Sequence, residues 1–230
     1  MDLKILEKIH TRGYWEVIIR PFEFKKDRIA DISKLVPLLE KNNVRLRGWS
    51  FPFVDIHNKP HVDIDWVSQD LDWDHHLQSW KIFQSGLFAY VSGFWVDWRD
   101  QSSFFPASKN WRPNSLFGVA DTLFFFTEVF EFAARLSLSE AGDESMVVSI
   151  KACNLKDRKL YLDDAPMFGI LQPYVASIEA YPYEKKLTKQ ELIADSKEQA
   201  LMGCCELFKR FNWNVSIDEL RNVSTRISQR

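Results

Sequence analysis

Long apolar runs are what this sequence most clearly lacks. The nearest approach, Ser115 to Leu138 around Leu123-Phe124-Phe125-Phe126, is interrupted by Asp121, Glu128, Glu131 and Arg135. It falls short of the roughly 18 consecutive apolar residues that a spanning helix needs. The stretch therefore predicts a buried core helix and no membrane partner. Cysteine is scarce too: Cys153 and the adjacent Cys204 and Cys205 cannot all pair, and neighbouring cysteines rarely bridge each other. Met1-Asp2-Leu3-Lys4 opens without the apolar core of a secretory signal. The expectation is reduced thiols and a cytoplasmic location. Charge of one sign is missing as well. Thirty basic against 32 acidic residues leave a formal charge of −2 and a pI near 6.2. Such a balance does not draw a molecule to phosphate backbones, so it argues against direct nucleic-acid binding.

Missing motifs narrow the chemistry further. No P-loop or Gly-x-Gly-x-x-Gly turn offers a nucleotide platform, and no Gly-x-Ser-x-Gly elbow supports Gln84-Ser85-Gly86 as a nucleophile turn. His-Glu-x-x-His, paired Cys-x-x-Cys and EF-hand loops are absent too. No repeat, low-complexity tract or Gly/Pro/Ser-rich linker divides the chain, so residues 1–230 read as a single domain. A chain of this length buries roughly 70–75% of its unfolded surface and needs no metal merely to fold.

What is present is aromatic: 18 Phe, 9 Trp and 6 Tyr, more than a globular protein usually carries. Rings in that number imply a well-packed core or an aromatic pocket. Apolar spacing predicts helices over 2–11, 27–41 with a break at Pro37, 115–138 capped by Asn114, 188–211 and 216–229. The last two are announced by the capping boxes Thr188-x-x-Glu191 and Ser216-x-x-Glu219. Ile217, Leu220, Val223 and Ile227 form one face of the final helix.

Period-two alternation predicts strands at Tyr14–Arg20, from Gly48 to Val54, over 61–67 and at Leu77–Phe83, with the run 87–98, apolar on both parities, at the sheet's middle. Met146–Ala152 and Lys159–Leu162 read as a hairpin, and Ser68–His76 and Asp163–Pro182 as loops. The sheet-rich parts are thus 13–98 and 146–162. The fold class is α+β, with helices packed on a central antiparallel or mixed sheet.

Two groups of residues are candidates for function. Four of the five histidines fall in the set His57, His61, Asp63, Asp65, Asp70, Asp72, Asp74, His75 and His76. If 61–67 is one strand, His61, Asp63 and Asp65 share a face, and with His75 they compose a divalent-metal site suited to a hydrolase or nuclease. The same residues also fit the polar face of a half-exposed strand with Val62, Ile64 and Trp66 turned inward; no metal or other cofactor is then implied. The second group is aromatic: Trp49, Trp73, Trp80 and Trp98, among further Trp and Phe residues of the sheet region. They suit a non-enzymatic recognition or regulatory surface for a protein partner or a small ligand. Trp73, flanked by Asp72 and Asp74, has the setting of an exposed anchor. Cys204 and Cys205 sit beside Leu201, Leu207 and Phe208 and read as core rather than as reactive thiols.

Several phrases together carry a family likeness: Arg47-Gly48-Trp49-Ser50-Phe51-Pro52, Trp80-Lys81-Ile82-Phe83-Gln84-Ser85-Gly86-Leu87-Phe88, Asp97-Trp98, Phe130-Glu131-Phe132-Ala133-Ala134-Arg135-Leu136 and Arg158-Lys159-Leu160. Over roughly residues 47–162 the chain resembles the region that accompanies Schlafen-type AlbA_2 DNA-binding domains in bacterial proteins. The resemblance implies an accessory or sensing module acting through a protein partner. No catalytic residue carries over. The AlbA_2 half has no counterpart in this sequence, so DNA binding does not transfer either.

Overall fold

The computed structural model describes residues 3–73, 75–99, 111–161 and 173–228. Its frame is a seven-stranded antiparallel sheet. In chain order the strands of the molecule are β1 (Tyr14–Pro21), β2 (Val44–Arg45), β3 (Ser50–Phe51), β4 (His61–Val62), β5 (Trp66–Trp73), β6 (His76–Phe83), β7 (Phe88–Gly93), β8 (Leu116–Gly118), β9 (Ser145–Cys153), β10 (Lys159–Tyr161) and β11 (Ala180–Thr188). The large sheet runs β11-β9-β1-β7-β6-β5-β4, while β2 pairs with β3 and β8 with β10 in two small sheets. The helices are α1 (Leu3–His10), α2 (Leu35–Asn42), α3 (Trp95–Trp98), α4 (Val119–Ser137), α5 (Lys189–Phe208) and α6 (Ile217–Ser228). The α+β class holds, and the sheet is antiparallel.

The alternation in β1 decides which side is inside. Trp15, Val17 and Ile19 are buried, and their cross-strand partners Ser92, Tyr90 and Phe88 on β7 and Ala152, Ile150 and Val148 on β9 continue the same face. Helices α4 and α5 pack on it, and α4 is buried on most of its circumference, as its apolar sequence requires. Trp15 stacks on Phe125 at 4.7 Å and meets Phe94 edge-on at 4.9 Å, joining helix to sheet. The opposite face carries a smaller cluster, where Ile5 and Ile9 of α1 bury Leu77.

Both capping boxes form as expected. The Thr188 hydroxyl accepts from the Glu191 N–H at 3.2 Å while the Glu191 carboxylate accepts from the Thr188 N–H at 2.7 Å. Ser216 and Glu219 repeat the exchange at 3.3 and 2.8 Å. Helix α6 docks on its own chain through buried Leu220 and half-buried Ile217 and Val223. The Ile227 side chain, like Asp74 and Leu162, lies outside the described residues.

Other expectations fail for identifiable reasons. The strand foreseen over 61–67 stops at Val62 and turns back, so that His61 faces Ser68 and Val62 faces Val67. Residues 66–73, expected to be largely loop, are instead the full-length strand β5, because its polar residues find distant partners. Gln69 donates to the Asp55 carbonyl at 2.8 Å and accepts from the Asp55 N–H at 2.8 Å. Strand β11, whose first residues up to Pro182 were expected as loop, is an edge strand, the position that tolerates Pro182 and its lysines. Of the strand expected over 48–54 only Ser50–Phe51 forms, and residues 95–98 turn into α3. Strand β10 does not return on β9 but lies parallel to β8. Asn114 does not cap α4, whose N-cap is Gly118.

Asn114 serves a different group instead. Arg158 and Asp97, 0% and 1% exposed, pair at 2.5 and 3.0 Å. Arg158 also donates to the carbonyls of Asn154 (2.6 Å) and Leu116 (2.8 Å) and to Oδ1 of Asn114 (2.7 Å). Asp97 also accepts from the N–H groups of Gly13 (2.9 Å) and Asn114 (2.8 Å). A Cβ on Gly13 would lie 2.2 Å from Arg158 Nη2, so only glycine fits there. Breaking a buried pair strands the remaining charge, so Asp97→Ala is expected to destabilise the chain by about 3–5 kcal/mol. Lys8→Ala, which removes an exposed pair with Asp72, should change stability by under about 1 kcal/mol. Urea denaturation of the two variants beside the wild type checks the contrast.

Candidate functional site

The tip of the β2–β3 hairpin, Leu46-Arg47-Gly48-Trp49, overhangs the core face of the sheet. Pairing of Val44 with Phe51 and Arg45 with Ser50 closes the hairpin. Gly48 takes a positive φ of 76°, which the turn requires and glycine supplies without strain. Phe51, buried among Phe88, Tyr90, Phe125 and Phe132, anchors the hairpin in the core. Between this tip, the first half of α4 and the ends of β6 and β7 lies a cleft of about 850 Å³. Cavities of this size suit a small organic molecule.

Helical spacing puts Ala120, Asp121, Phe124, Phe125 and Glu128 of α4 on the cleft, and the sheet contributes His76, Gln78, Tyr90 and Ser92. Trp49 and Trp95 stand among the walls. The Trp49 ring stacks on His76 at 4.2 Å and 11° and on Phe53 at 4.2 Å and 22°, with Trp73 at 5.7 Å. This aromatic group fixes the hairpin tip over the sheet.

The polar groups are as ordered as the rings. Arg47 reaches Glu128 with Nε at 3.1 Å and Nη2 at 2.6 Å, and its third nitrogen meets Asp121. Burial disfavours the Arg47 charge, but Glu128 and Asp121 outweigh it and hold the guanidinium more firmly protonated than usual. The Glu128 side chain is only 3% exposed. Burial pushes its pKa above the ordinary glutamate range, with Arg47 opposing. Across the cleft the Tyr90 hydroxyl donates to Gln78 Oε1 at 3.3 Å, and the Gln78 amide donates to the Phe53 carbonyl at 2.7 Å. Burial also raises the Tyr90 pKa, with a hydrogen bond from Ser92 acting the other way.

The four tryptophans expected to form one surface are distributed over three environments. Trp49 lines the cleft, and Trp73, 60% exposed, stacks beside it. Trp80 is fully buried and donates to the Phe53 carbonyl at 2.9 Å. Trp98 lies on the opposite face with α1, where the Arg12 guanidinium sits 4.1 Å over its ring. The shared strand face that would have aimed His61, Asp63 and Asp65 at a metal is not formed, since β4 ends at Val62 and Asp63 lies in the turn. His75 stands at the cleft, against Trp95. Among the described residues no group of three or more His, Cys, Asp or Glu side chains is placed to hold a metal ion. Cys204 and Cys205 are both buried, and Gln84-Ser85-Gly86 is the turn between β6 and β7. No helix among the described residues is long and apolar enough to cross a membrane.

Arg47, Tyr90 and Glu128 were not singled out from the sequence. One signal was available: Glu128 is an acid inside the apolar run Phe124-Phe125-Phe126-Thr127-Glu128-Val129-Phe130, and a buried acid requires a partner. Its shift gives a signed expectation. A carboxyl whose folded pKa is raised opposes folding when ionised, and this opposition fades as pH falls through the folded value. The capping Glu191 and Glu219, held low by backbone N–H groups, behave in the opposite way, so the comparison has to be with a variant. Wild type should gain stability relative to Glu128→Gln as pH falls from neutral into the mildly acidic range, read from urea midpoints. A relative loss would show that pairing with Arg47 outweighs burial. No protein-family model matches the chain, and no curated protein or solved structure does, so the cleft is read from its own geometry.

Proposed function

We propose that this chain is a recognition module that binds a small organic ligand in the cleft between α4 and the sheet. One observation carries the reading: a cleft of about 850 Å³ whose walls are aromatic and whose polar groups converge from three separate elements. Rings supply apolar contact area at low entropic cost, and a few fixed polar groups set orientation. Tyr90 and Gln78 are held in a chain of hydrogen bonds ending on the Phe53 carbonyl, which suits binding by a preformed site rather than turnover.

A second reading, a protein partner, is favoured by Ile56, Val62 and Ile64 around the β4 edge, 82%, 57% and 91% exposed. Isolated exposed apolar residues are ordinary on protein surfaces, so the cleft takes precedence.

A ligand-observed NMR screen of aromatic fragments on the full chain tests the first reading. Fragments that bind are expected to lose at least about tenfold in affinity, or about 1.4 kcal/mol, on Trp49→Ala and on Phe124→Ala, while Val62→Lys leaves them unchanged. Hits indifferent to both cleft variants would overturn it.

A further inference from the structure

The cleft keeps hydrogen-bonding capacity of both kinds, and this narrows the class of ligand, an inference that rests on the small-ligand reading above. On the α4 wall three of the five N–H groups of Arg47 are directed at Glu128 and Asp121, and among the described residues the other two are uncommitted. Each oxygen of Glu128 accepts one of these bonds, where a carboxylate oxygen accepts about two. The charges are matched, while donors and acceptors are both left over. The Arg47 guanidinium also lies 5.6 Å from the centre of the Phe124 ring, so this polar group and an aromatic wall of the cleft are neighbours.

The sheet side repeats the pattern with a neutral group. The Phe53 carbonyl can only accept, so the Gln78 atom 2.7 Å from it is the amide nitrogen, and the Gln78 oxygen receives the Tyr90 hydroxyl at 3.3 Å. One N–H and one lone pair of the Gln78 amide remain. Gln78 and Glu128 are both buried and both line the cleft. A ligand that leaves such buried groups unmet loses their bonds to water without replacing them.

An ion answers only half of this pattern. An ammonium brings donors alone and sets a positive charge beside Arg47, whereas a carboxylate brings acceptors alone and sets a negative charge beside Glu128 and Asp121. Either gains a counter-charge only by displacing one that is already paired, which strands a charge in a poorly hydrated site. A carboxamide offers an N–H donor and a carbonyl acceptor in one flat, uncharged group and leaves the pair intact. We propose that the ligand is a neutral carboxamide or lactam on an aromatic body, held through its carbonyl and its N–H by the Arg47–Glu128 pair and Gln78, with its ring against Phe124.

Four probes sharing one ring separate the possibilities: 2-naphthamide, methyl 2-naphthoate, 2-naphthylmethylamine and 2-naphthoate. The amide carries donor and acceptor, the ester an acceptor alone, and the last two a positive and a negative charge. Their binding to the full chain is measured by isothermal titration calorimetry at neutral pH in about 0.15 M salt, which screens the general attraction of an acidic protein for cations. The amide is expected to bind at least about tenfold more tightly than each of the other three, and Phe124→Ala is expected to weaken it. The order of affinities is read on the wild type and needs no variant. An ester or ion that binds as tightly as the amide, or an amide indifferent to Phe124→Ala, overturns the ligand class. If none of the four binds while the fragment screen gives cleft-dependent hits, the ligand class is wrong and the cleft reading survives. If the fragment screen is also empty, both fall.

Discussion

The ion pair between Asp97 and Arg158 is the interaction from which the placing of the cleft's helix wall follows. It gathers four stretches of chain that are remote in sequence: the start of β1 at Gly13, α3, the Asn114–Leu116 segment and the turn before β10. A charge pair at this depth is tolerable only if its hydrogen-bonding capacity is filled. Here it is: each guanidinium nitrogen donates, and each carboxylate oxygen accepts twice. Leu116, held through its carbonyl, opens β8, which leads directly into α4. The helix wall of the cleft is thus placed by a charge pair that does not itself touch the cleft.

The second pair differs in an informative way. Arg47 and Glu128 also join distant segments, but Arg47 remains 30% exposed at the cleft while Glu128 is buried. The first pair is closed on itself and the second faces a cavity. Burial raises the proton affinity of Glu128 despite its partner, a sign that the surroundings do not fully compensate the charge. The two pairs thus differ in whether hydrogen-bonding capacity is left over: none at Arg158 and Asp97, some at Arg47 and Glu128.

Much of the frame was legible in the sequence, because its signals are local. The capping boxes at Thr188 and Ser216, the alternation of β1 and the doubly apolar β7 are each decided within a few residues. What stayed hidden depends on partners far along the chain. Ser68, Gln69 and Asp70 look like loop until Asp55 and Ser79 are seen to satisfy two of them. Pro182 and its lysines argue against a strand until β11 proves to be an edge. The site divided along the same line. Trp73 stood out as a ring in polar surroundings and Trp49 as one of an aromatic set, whereas Arg47 and Glu128 are 81 residues apart and Asp97 and Arg158 are 61 apart. No window of local pattern spans those intervals.

The small hairpin that carries Arg47 and Trp49 belongs to none of the seven strands. It touches the main body through the Phe51 plug, the Arg47 tether and the Trp49 stack. Its tip is therefore a replaceable part. Changes at Leu46 or Ser50 alter the rim without altering the sheet, whereas changes at Gln78 or Tyr90 alter both. Sequence changes at the tip can thus reshape one wall of the cleft between two rungs of backbone while the seven-stranded sheet stays as it is.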